Sequence, residues 1–152
     1  MAATYDFRKL RRLLTIHLVV QIGFVALLAW ASWLFQQSLA DRFLNSVIFS
    51  LAIQVGLFFP IRRLTAKEVE REIASSAVGL TSADLQALRK KRVIADIIKS
   101  SVFLFFIIFI LRLPEKPVIL AIAYFTFILT CLSYFQCFNF AARREMKAKT
   151  GV

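Results

Sequence analysis

The sequence predicts an all-α integral membrane protein: a four-helix bundle made of two transmembrane hairpins, with an amphipathic connector helix on the cytoplasmic side. Three observations predict it. Hydrophobic residues make up 59% of the chain, above the ~45–50% typical of soluble domains. They gather into four continuous runs, at 13–35, 43–61, 93–111 and 118–140, each near the ~20 residues that cross a bilayer as a helix. Basic residues fall almost entirely on one side of these runs. The 152 residues then form a single membrane domain.

The first run follows Arg8, Lys9, Arg11 and Arg12. A basic start before an apolar stretch also marks a signal peptide, but the run exceeds the usual h-region and a second one follows closely, so a retained helix is expected. Trp30 and Trp33 lie at its far end, where amphipathic rings favour the membrane interface. Residues 36–42 make a short outer loop to the second run. The third and fourth runs are joined by Arg112-Leu113-Pro114-Glu115-Lys116-Pro117, in which two prolines enforce a turn. The runs are continuous rather than alternating, which favours helices over barrel strands.

The connector, 62–92, is the only long polar segment. Ala66, Val69, Ile73 and Ala77 recur at helical spacing among Lys67, Glu68, Glu70, Arg71 and Glu72, the pattern of an amphipathic helix. Gly79 fits a helix C-terminus. Thr81 and Asp84 have the spacing of a capping box, so a new helix starts there and runs into the third span. Arg89, Lys90, Lys91 and Arg92 are placed to contact anionic lipid headgroups, at ~1 kcal/mol per charge near the surface. Docking of a soluble partner on the connector is the alternative.

The net charge of +11 has two readings. Nucleic-acid binding would call for basic residues interleaved with aromatic ones, and that pattern is absent from the sequence. Orientation explains the charge better: 17 of the 20 basic residues flank the runs on one side, leaving only Arg42, Arg112 and Lys116 on the other. The positive-inside rule then puts both ends in the cytoplasm, in a bacterial inner membrane. Cys131 and Cys137 sit six apart on one helix, pointing ~240° apart, so they cannot bridge each other and read as packing residues.

Polar residues inside the spans form helical rows. His17 and Gln21 are four apart, as are Ser46, Ser50 and Gln54, and Thr126, Thr130, Ser133 and Cys137 share a face. Such rows let helices approach and hydrogen-bond, so these faces are expected inward and the Phe-rich faces toward lipid. Asp96 and Lys99 share a face of the third span and can pair, with Arg92 one turn before as a further partner. Asp96 lies ~24 Å from the outer end of its helix, in the cytoplasmic leaflet. His17, Gln21, Gln54, Asp96 and Lys99 are therefore the candidate polar seam or partner contact. A structural role, with Lys99 reaching the headgroups, is the alternative. His17 is the only histidine, and a bundle hydrogen bond fits it better than a metal or haem ligand role. The sequence offers no nucleophile-base set, phosphate loop or carboxylate pair, so no enzymatic activity and no cofactor are expected.

Asp96-Ile-Ile-Lys99 before a long apolar run, and the basic start from Arg11 to Val20, resemble ATP synthase subunit I of bacteria, although this chain has Asp96 where that family has Glu. The resemblance implies a role in assembling the rotor ring of the membrane sector, with Asp96 and Lys99 as the residues concerned. The reading overall is a non-catalytic accessory or assembly subunit whose partners are other membrane subunits. A small ion or solute transporter or channel, formed by self-association, is one alternative. A membrane immunity or sensor protein, read out through the connector, is another.

Overall fold

A computed structural model describes residues 5–112 and 116–150. The described residues are almost all helical: α1 (Arg8–Leu39), a one-turn 3-10 helix (Ala40–Arg42), α2 (Phe43–Ser75), α3 (Ser82–Arg112) and α4 (Pro117–Thr150). Three helical stretches are long and apolar enough to cross a membrane, which marks the chain as a membrane protein: Arg8–Ser75, Ser82–Arg112 and Pro117–Thr150. The first of these comprises α1, the 3-10 turn and α2. The proline turn at 113–115 expected from the sequence lies outside the described residues.

Helices α1 and α2 double back on one another. They meet at the 3-10 turn, and their far ends are tied by a bridge between Tyr5 and Ala77 and by the Asp6 N–H donating to the Ser76 carbonyl at 2.8 Å. Ala40, which ends α1, has φ +44°. That region costs a side-chain-bearing residue ~1–2 kcal/mol, partly offset in the unfolded chain by the lower entropy of Ala relative to Gly. Ala40→Gly should therefore stabilise the protein by about 0.5–1 kcal/mol, read as a rise in melting temperature in detergent.

The core has two apolar clusters, one at each end. Phe7, Leu10 and Leu14 pack on Val69 and Ile73 of α2 and on Phe138 and Ala142 of α4. At the other end, Ala31, Phe35 and Leu39 of α1 pack on Ala121, Phe125, Ile128 and Leu132 of α4. Helix α4 thus sits between α1 and α2, antiparallel to α1 and parallel to α2. Its interface with α2 is the most extensive in the molecule. Small polar residues make the close approach possible: Ser46 and Ser50 are completely covered, and the Ser50 hydroxyl lies 3.3 Å from the Ile122 carbonyl across the interface.

Four expectations are corrected here. The protein is not an even four-helix bundle, because α3 contributes no buried residue. It lies beside a three-helix core, touching α4 through Phe103 and Phe106 on Phe127 (5.3 and 5.5 Å between ring centres). Nor is there a separate connector helix. Helix α2 continues unbroken through Pro60 to Ser75, because Ile61, Thr65, Val69 and Ile73 extend one buried row at four-residue spacing beyond the apolar run. Ala66, expected on that row, is exposed. The Phe-rich faces are also not simply lipid-facing, since Phe35, Phe125 and Phe138 are core residues.

Helix α2 ends at Ser75 with Ser76 as its C-cap, so Gly79 does not cap it as expected but lies in the turn that leads into α3. Gly79 takes φ +92°, a left-handed backbone that glycine adopts at no steric cost. The Thr81 hydroxyl donates to Asp84 Oδ2 at 2.6 Å and accepts from the Asp84 N–H at 3.3 Å, so Thr81 caps α3 as expected.

Candidate functional site

At the end of the molecule where α2 gives way to α3, charged and polar side chains from all four helices converge. Glu68 of α2 is the hub. Its Oε1 pairs with Lys99 of α3, and its Oε2 accepts from the Tyr134 hydroxyl of α4 at 2.5 Å. Lys99 also pairs with Asp96 at 2.9 Å and stands 5.9 Å from the centre of the Tyr134 ring. One turn further along α2, Glu72 pairs with Arg92 at 3.3 Å, and Arg71 donates to the Lys91 carbonyl at 3.4 Å. Burial pushes the Glu72 carboxyl above the ordinary carboxylate range, with Arg92 opposing the shift. These contacts, with Phe103 and Phe106 on Phe127, are what hold α3 to the core.

His17 of α1 lies beside this cluster, packed against Phe135 and Phe138 with ring centres 5.0 and 4.8 Å away. Asn139 of α4 stands against it, yet His17 Nδ1 and Asn139 Oδ1 are both buried without a hydrogen-bond partner among the described residues. Gln21 Nε2, one turn along α1, is in the same condition.

The five seam residues fall into separate groups. Asp96 and Lys99 pair as expected, and His17 with Gln21 lies alongside. Gln54 is elsewhere, ~21 Å back along α2 from Glu68. It locks α2 to α4, donating to Ser133 Oγ at 2.7 Å and to the Leu129 carbonyl at 3.3 Å, and accepting from the Thr130 hydroxyl at 3.1 Å. Arg92 pairs with Glu72 rather than with Asp96. Arg89, Lys90 and Lys91 are exposed on α3.

Glu68, Glu72, Tyr134 and Asn139 were not among the residues expected from sequence. A signal for the first two was present. Glu68 and Glu72 share one face of α2, and Arg92 and Lys99 share one face of α3, so once the helices turn back at Gly79 the signs match. Among the described residues, no three His, Cys, Asp or Glu side chains are arranged to hold a metal ion. The arrangement can hold α3 in place, and it can exchange these contacts for others. Comparison with family models, curated proteins and solved structures finds no match in any of the three.

Proposed function

We propose that this chain is a non-catalytic accessory or assembly subunit of a larger complex in a bacterial inner membrane. It crosses four times, as two hairpins with both ends in the cytoplasm. The exposure of α3 carries this reading. A helix with no buried residue, held by a few ion pairs at one end and a few aromatic contacts, leaves most of its circumference open to other transmembrane helices. In lipid, apolar surface alone does not drive helices together, so a weakly held helix is free to exchange its neighbours. The antiparallel course of α1 and α2, and of α3 and α4, supports four crossings. The resemblance around Asp96 and Lys99 favours rotor-ring assembly as the specific task.

Mild solubilisation from native membranes, a native gel and mass spectrometry of the co-migrating proteins test the proposal. The chain is expected to travel with other membrane subunits. Rotor-ring subunits would favour the assembly role, and another large complex would keep the accessory role without it. Migration with its own copies alone would overturn both and favour the transport alternative. In that event Asp96→Asn and Lys99→Met should abolish flux in proteoliposomes.

A further inference from the structure

On the side of α2 away from Glu68, the cytoplasmic ends of α2 and α4 leave a groove of about 910 Å³. Residues 68 and 70 point ~200° apart around a helix, so the groove, lined by Glu70, and the α3-facing cluster lie on opposite faces of α2. Phe58 and Phe140 line its membrane end. Arg62 and Lys67 of α2 and Arg144 and Lys149 of α4 line its cytoplasmic end, against two carboxylates, Glu70 and Glu145. Arg62, Lys67 and Arg144 make no salt bridge among the described residues, and Lys149 stands over the Tyr5 ring at 5.8 Å. Arg62 of α2 and Cys137 of α4 both line the groove.

The order of these residues matches an amphiphile with an anionic head. Arg62 is the first residue past the apolar run 43–61, and Phe140 is the last of 118–140. The aromatic end therefore lies at the edge of the hydrocarbon and the cations lie at headgroup depth. A soluble anion would use the cations and leave 73%-exposed Phe140 uncovered. A neutral lipid would cover Phe58 and Phe140 and leave the cations without a counter-charge. Basic pockets between transmembrane helices on the cytoplasmic side suit anionic headgroups, at about fivefold in affinity per cation near the surface.

We propose that the α2–α4 groove is a binding site for one anionic phospholipid, its headgroup between Arg62 and Arg144 and an acyl chain along Phe58 and Phe140. The site is distinct from the exposed basic row Arg89 to Arg92. It rests on the chain lying in a membrane and not on the accessory role.

The test is native mass spectrometry of the purified full chain with phosphatidylglycerol, phosphatidylcholine or inorganic phosphate added. One phosphatidylglycerol should be retained in preference to phosphatidylcholine. Arg62→Gln with Arg144→Gln should weaken retention about 25-fold, while Arg89→Gln with Lys90→Gln should leave it unchanged. A second measurement leaves the groove intact. In a Cys131→Ala chain, maleimide labelling of Cys137 should be slower in vesicles containing phosphatidylglycerol than in phosphatidylcholine alone. Equal behaviour with both lipids, or equal loss in both double variants, overturns the proposal. Retention of phosphate, or protection of Cys137 by phosphate alone, would replace the lipid with a soluble anion.

Discussion

Glu68→Lys should detach the N-terminal half of α3. The substitution removes the acceptor of the Tyr134 hydroxyl and sets a cation opposite Lys99, leaving Asp96 as that lysine's remaining partner. The Glu68 side chain is only 16% exposed, so the pair is partly shielded from water. Lys99 is 41% exposed, and solvent screening puts the cost at the low end for a broken, partly buried pair, about 2 kcal/mol. With little else holding α3, the loss falls on its local opening and not on the core. Amide exchange over 82–100 should accelerate roughly 30-fold, with much smaller changes in α1 and α4. The exchanged pair, Glu68→Lys with Lys99→Glu, keeps two acids around one cation and should recover most of the protection. It should not recover the Tyr134 share. Unchanged exchange in Glu68→Lys would mean that the aromatic contacts on Phe127 hold α3 by themselves. In that case the reading of α3 as a readily exchanged helix would lose its basis.

Gln54→Ala should be the most damaging single substitution within the core. Gln54 is 9% exposed and makes three contacts from α2 to α4. Truncation removes all three and opens a cavity at the most extensive helix interface. Interhelical hydrogen bonds within membranes contribute ~0.6–2 kcal/mol each, and the cavity adds to that, so a loss of about 2–4 kcal/mol is expected in detergent-titration or thermal unfolding. Gln54→Leu separates the two causes. It keeps the volume and lets Ser133 and Thr130 bond to carbonyls on their own helix, so its cost should stay below about 1.5 kcal/mol. Equal losses for Ala and Leu would put the stabilisation in the hydrogen bonds and not in packing. No loss for either would show that Ser46 and Ser50 hold α2 to α4 without Gln54.

Much of this molecule was legible locally. Four apolar runs, the turn at Gly79, the Thr81 cap and the Asp96–Lys99 pair each depend on residues within a turn or two of one another. Spacing along the chain is enough to read them. The inward direction of Ser46, Ser50 and Gln54 was legible for the same reason, since polar side chains at four-residue spacing leave a helix one face to turn from lipid.

Sequence alone determined the helical class, the apolar runs and the start of α3. Tertiary structure decided which helix stays outside the core. The runs look alike by composition, and α3 is as apolar as any, yet it is the one with nothing buried. In water such a helix would be driven inward. In lipid that force between helices is absent and close approach depends on small residues, which α2 and α4 supply at Ser46, Ser50 and Ala121. Beyond Ser101, α3 offers only Phe, Leu, Ile and Val until Arg112. Only the folded chain brings Glu68, 31 residues away, to Lys99. The pairing depends on how the turn at Gly79 sets α3 against α2, and no periodicity within either helix records that.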